Sequence, residues 1–160
     1  MRIVVAPEEI MVQKFGGSSL ASMDHVRRVA GIVADTRAQR GAVVVVVSAR
    51  GDATDDLLQL AAQIGPVVPR RETDQLLATG EVVSAALLTM ELCVRGVPAA
   101  SLTGAQAGIV VTGQHGAGVI DRIDPTTIRA MLARGEVPVV AGFQGVDADG
   151  NVCTLGRGGS

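Results

Sequence analysis

The sequence has 160 residues, of which 48% are hydrophobic, 19% charged and 1% aromatic, with a formal net charge of -2. That is the length of one ordinary domain with apolar residues enough for a packed core. The near-neutral charge and the lack of Tyr and Trp leave neither an electrostatic footprint nor a stacking platform for nucleic acid.

In chain order, Met11–Phe15 reads as a strand ending in a glycine turn. Residues 24–39 read as a helix. Val26, Val29, Ala30 and Val33 share one face, Ser22 or Asp24 can cap the start, and Gly41 stops it. Residues 42–48 contain five consecutive valines with no polar alternation, the pattern of a central parallel strand buried on both faces. A short helix over 54–64 closes at Gly65-Pro66. A longer one over 71–95 is expected to break near Thr79-Gly80. Residues 97–102 and 109–113 read as strands. Asp124-Pro125 starts a helix that ends at Gly135, and residues 137–143 form another buried strand. Residues 146–155 read as a hairpin around Asp149-Gly150. The βαβα order predicts an α/β fold, a three-layer αβα sandwich with a mainly parallel central sheet. Ligands of such sheets bind beyond the carboxyl ends of the strands.

Four glycine-rich or polar turns fall at such ends. Lys14-Phe15-Gly16-Gly17-Ser18-Ser19 offers a backbone that an anion can approach, two hydroxyls and a mobile positive charge. It differs from a Walker A loop because the lysine precedes the glycines; a plain strand-to-helix turn has the same pattern. Ser48 and Thr54 flank the turn after the valine strand and can hold a carboxylate, or Thr54 can cap its own helix. Glu81, in Thr79-Gly80-Glu81, falls on a helix face where a carboxylate needs a partner. A substrate ammonium or nearby backbone amides would both serve. Residues 154–160 set three glycines around Arg157, whose guanidinium can fork onto a carboxylate or phosphate; an unstructured tail reads the same way.

No metal site is expected. Cys93 and Cys153 read as buried free thiols of a reducing compartment, and His25 and His115 as structural or solvent-facing. Asp147, Asp149 and Asn151 lack the downstream glutamate of a calcium loop. The amino-terminal ten residues read as an extension, not a leader. The longest purely apolar run, 42–47, is far short of the roughly 20 residues of a membrane span. A soluble, cytoplasmic chain with no membrane partner is the expectation.

Taken in order, VQKFGGSS, VVVVVSARGDATDDLL, ETDQLLATGE, SLTGAQAG, VVAGFQG and TLGRGGS resemble the aspartokinases of the amino acid kinase family. The resemblance runs from about residue 11 to residue 160, and the chain resembles the amino-terminal, substrate-binding part of that kinase domain. It implies ATP-dependent phosphorylation of the side-chain carboxylate of L-aspartate, the first step towards lysine, threonine and methionine, with ATP and Mg2+ as cofactors. It implies catalytic roles for Lys14 and Arg157. Lys14, Gly16, Gly17, Ser18 and Ser19 would bind phosphate, and Ser48, Thr54, Glu81, Phe143, Gly145, Arg157 and Ser160 the substrate. The family's nucleotide-binding half would lie elsewhere, so an exposed sheet edge and apolar face are expected, covered by a complementary chain or by homo-oligomerisation. Val82 stands where the family carries an arginine, and Arg50 where it carries a small or apolar residue. A non-catalytic amino-acid- or anion-binding assembly subunit of the same fold is the alternative reading.

Overall fold

The computed structural model describes residues 9–156. Four strands form a parallel sheet in the order β1 (Met11–Phe15), β2 (Val43–Val47), β6 (Val137–Ala141), β3 (Ala99–Leu102). Helix α1 (Met23–Arg40) joins β1 to β2. Helices α2 (Ala53–Ile64) and α3 (Arg70–Val94) follow, and α4 (Thr126–Ala133) leads into β6.

Alternation along the strands explains the layers. Val43, Val45, Val47, Val137, Val139 and Ala141 face one side, where they pack with Val26, Val29, Ala30 and Val33 of α1 and with Ala85, Leu88 and Leu92 of α3. Val44 and Val140 face the other side and meet Leu102, Ala107 and Met131. The expected three-layer α/β architecture is present, and the valine run is buried on both faces because helices cover both. Ser22 caps α1, its hydroxyl accepting the His25 amide at 3.3 Å. The Asp124 carboxylate accepts the Thr126 amide at 3.0 Å at the start of α4.

Three features depart from expectation. First, α3 runs unbroken through Thr79-Gly80. The glycine serves a close approach instead of a break: a Cβ on Gly80 would stand 2.9 Å from the Ala49 Cβ. Second, a separate four-stranded sheet lies beside the parallel one, in the order β5 (Val119–Ile123), β4 (Ile109–Thr112), β7 (Gln144–Val146), β8 (Val152–Thr154). Strand β5 had no counterpart in the sequence reading, since all five of its residues are exposed and carry no buried alternation. Third, the strand expected over 137–143 stops at Ala141. Phe143 takes a left-handed φ of 62° and turns the chain into β7. The expected hairpin is β7–β8, its turn held by Asp147, whose carboxylate accepts the amides of Asp149 and Asn151.

Among the described residues strand β1 pairs only with β2, and Val12 on it is 61% exposed. Helix α3 is long and apolar enough to cross a membrane by length and composition, a property the short-run reading overlooked. Half of its most apolar stretch is buried within the fold. Cys153 is buried as expected, but Cys93 is exposed on the far end of α3.

Candidate functional site

The carboxyl ends of β1 and β2 lie side by side, Phe15 opposite Val47. Their turns lock together: the Ser48 amide donates to the Phe15 carbonyl at 3.0 Å, and the Gly51 amide to the Gly17 carbonyl at 3.0 Å. Gly17 permits this contact, because a Cβ there would lie 2.7 Å from the Ala49 carbonyl oxygen. The side chain of Lys14 folds over the same turn. A Cβ on Gly16 would meet only the Lys14 Nζ, at 3.7 Å. Ser18 and Ser19 belong to the 3-10 turn Gly17–Leu20 that follows.

Helix α3 closes the site from one side. Glu81 is 3% exposed, and its Oε1 accepts the Ala49 amide at 2.9 Å. Its Oε2 is buried with no hydrogen-bond partner among the described residues. Burial pushes the Glu81 carboxyl above its ordinary value of 4.5, with the Ala49 amide pulling the other way. A buried carboxylate oxygen without a donor is costly, and a cationic ligand group would satisfy it. Lys14, Gly16, Gly17, Ser48 and Glu81 are thus joined through one interlocked pair of turns.

Arg50 leaves this cluster: its guanidinium donates to the carbonyls of Leu20 at 3.0 Å and Ala21 at 3.3 Å. Its charge is spent on fastening the turn after β2 to the 3-10 turn. Gly51, Gly80 and Val83 line a neighbouring cavity of about 560 Å³.

Thr54 lies in the first turn of α2, with Asp52 at the cap position, so its hydroxyl is free of the capping role. It lines a larger cavity, about 740 Å³, together with Phe143, Asp74, His115 and Thr154. Gly145 sits apart from Phe143. It faces a smaller cavity beside Val82 and is packed so tightly on β4 that a Cβ would lie 2.9 Å from the Ile109 carbonyl oxygen. Arg157 and Ser160 lie outside the described residues.

The sequence reading missed Asp74. Asp74 is 1% exposed and accepts four hydrogen bonds: from the Thr154 hydroxyl at 2.7 Å, the Thr154 amide at 2.9 Å, the Gly116 amide at 3.0 Å and His115 Nδ1 at 3.0 Å. His115 has a structural role, one of the two expected of it: it ties the turn after β4 to Asp74 of α3. Asp74, His115 and Cys153 bring potential ligand atoms within 4.8 Å of one another. Oδ2 accepts three of these bonds and Oδ1 one, so protein donors already neutralise the carboxylate where a cation would sit. Burial also pushes the Cys153 thiol up, away from the thiolate that binds metals. A buried polar residue on an otherwise apolar helix face was the available signal; its partner, 80 residues away, was not readable.

A lysine–glycine turn and a buried glutamate thus stand together at the carboxyl edge of a parallel sheet. The chain belongs to the amino acid kinase family, whose model matches residues 9–160. It is 50% identical over 152 residues to the aspartokinase of Mycolicibacterium smegmatis, covering 94% of this chain and 36% of that protein. The aspartokinase of Geobacillus stearothermophilus is 51% identical over 151 residues, with 94% and 37% covered. The crystal structure of aspartate kinase from Synechocystis superposes with a TM-score of 0.77 at 47% identity, covering 95% of this chain and 25% of that one. The chain spans about a third of the length of the curated relatives it matches.

Proposed function

We propose that this chain is the substrate-binding part of an ATP-dependent kinase that phosphorylates the side-chain carboxylate of L-aspartate to 4-phospho-L-aspartate. The observation that carries the reading is the buried, partnerless Oε2 of Glu81 behind the interlocked turns that carry Lys14 and Ser48. An α-amino acid offers an ammonium to such an oxygen and a carboxylate to the surrounding donors. The relatives at about half identity act on aspartate by name.

In this reading Glu81 receives the α-ammonium, and Ser48 and Thr54 hold carboxylate oxygens. Phe143 walls the cavity that Thr54 opens into. Lys14, with Gly16, Gly17, Ser18 and Ser19 around it, neutralises charge on the phosphoryl group in transit. Arg157 binds a substrate carboxylate, with Ser160 beside it in sequence. Phosphoryl transfer depends on positioning and charge neutralisation more than on covalent chemistry by the protein. Among the described residues a Cβ on Gly16 would meet only the Lys14 ammonium, so an anion approaching this glycine would meet that charge. When bound, ATP with Mg2+ supplies the transferable phosphoryl group; no residue of this chain is assigned to the base or the metal. Gly145, a substrate residue by the family resemblance, acts in this reading by letting β7 close on β4. The protein is placed in the cytoplasm, with the β1 edge covered by a complementary chain or a second copy.

The test pairs the chain with the carboxy-terminal two-thirds of the Mycolicibacterium smegmatis relative, adds ATP, Mg2+ and L-aspartate, and traps acyl phosphate as the hydroxamate. Product that depends on both polypeptides is expected. Absence of product together with absence of aspartate binding by calorimetry sinks the reading.

A further inference from the structure

We infer that Asp74 is a positioning residue for the substrate site: its buried carboxylate fixes strand β8 and the His115-Gly116 turn against α3, and so sets the wall of the cavity that Thr54 and Phe143 line. The inference rests on the function proposed above.

The geometry is specific. All four hydrogen bonds of Asp74 end on two segments, His115-Gly116 and Thr154, that are 41 to 80 residues away in sequence. Both segments wall the 740 Å³ cavity that also contains Thr54 and Phe143. Thr154 donates both its amide and its hydroxyl to Asp74, which fixes its rotation as well as its distance. The next residue, Leu155, donates its amide to the carbonyl of Phe143 at 2.9 Å, so β8 and the left-handed Phe143 are held in common. An apolar residue at position 74 could fill the same volume with less desolvation; a carboxylate supplies direction, because each donor must point at a particular oxygen.

The same helix face carries Glu81 seven residues on, two turns away. Asp74 therefore registers the β8 side of the cavity against the helix that holds the proposed ammonium-binding carboxylate. It touches no substrate in this account and acts through Thr154 and the turn.

The experiment is calorimetric titration with L-aspartate of the full 160-residue chain, alone and paired with the carboxy-terminal two-thirds of the mycobacterial relative. Asp74→Asn places an amide donor opposite donors. It is expected to weaken aspartate binding about tenfold or more, close to 1.4 kcal/mol. Thr154→Val, which keeps the amide contact and loses the hydroxyl, is expected to weaken it severalfold; Thr154→Ser, which keeps both, restores it. Leu92→Ala opens the core at the far end of α3 and controls for lost stability. Titrated below its melting temperature, it is expected to bind as the parent does. Parent-like affinity in Asp74→Asn, or an equal loss in Leu92→Ala, overturns the inference and leaves the function standing. If Asp74→Asn does not fold, the Thr154 pair decides. A parent protein that binds no aspartate in either form takes down the functional reading and this inference together.

Discussion

Gly17 and Ala49 touch backbone to backbone: the position a Cβ would occupy on Gly17 lies 2.7 Å from the Ala49 carbonyl oxygen. The two strand-end turns can interlock only while residue 17 has no side chain. Gly17→Ala forces one turn away from the other, and overpacking of this kind costs about 1–3 kcal/mol. A lower urea midpoint with an unchanged slope is the expected result. Ser18→Ala, on the exposed side of the same turn, should leave the midpoint in place. Equal midpoints for Gly17→Ala and the parent would show that the turns are not in contact.

Gly80 sets two effects against each other. Alanine in a helix interior is favoured over glycine by about 1 kcal/mol. Against that, a Cβ at this position would stand 2.9 Å from the Ala49 Cβ. The steric term is expected to win, since Ala49 is tied down by the hydrogen bond its amide donates to Glu81. Gly80→Ala should therefore melt below the parent. A higher melting temperature would mean that α3 stands off the turn.

Glu81 makes stability depend on pH with a definite sign. Its folded carboxyl titrates above 4.5 because burial penalises the charge. The folded state then binds the proton more tightly than the unfolded one, so this group's favourable contribution is complete below the unfolded value. It is lost as pH rises through the folded value. Melts from about pH 4 upward should show a decline that Glu81→Gln lacks. The ammonium of aspartate needs the ionised form, so affinity should rise over the window in which stability falls. Parallel melting curves for the parent and Glu81→Gln would refute the assignment.

Lys14 should separate binding from chemistry. Lys14→Met removes a charge aimed at the phosphoryl group and leaves Glu81 and Ser48 in place. Hydroxamate formation in the paired system should fall about 100-fold or more, the scale of losing one charge-stabilising donor. The KM for aspartate should stay within a factor of about three, because the ground-state contacts survive. A large rise in KM with kcat preserved would move Lys14 from the transfer step to substrate binding.

Local signals in the sequence led to the parallel sheet and half of the site. Val43–Val47 cannot be a surface strand, Ser22 can cap only the helix that follows it, and a lysine two residues before Gly16-Gly17 sits where β1 ends. Glu81 was readable because a carboxylate on an apolar helix face demands a partner. The rest depends on contacts between distant residues. Gly80 looks like a helix breaker until Ala49 is seen against it. Strand β5 has no buried residue to reveal it, and its edge exists only because β4 is there to pair with. The sharp end of β6 comes from the backbone of Phe143, a residue type that gives no hint of a left-handed φ. Asp74 and Thr154 find each other only once two sheets have been laid on one helix.

That helix has a geometric consequence. Two buried carboxylates, seven residues and about 10 Å apart along its axis, grip different sheets: Asp74 holds β8, Glu81 holds the turn after β2. The stretch of unbroken helix between them fixes the spacing of the two grips, so one element sets the register of the β8 hairpin against the β2 edge of the parallel sheet.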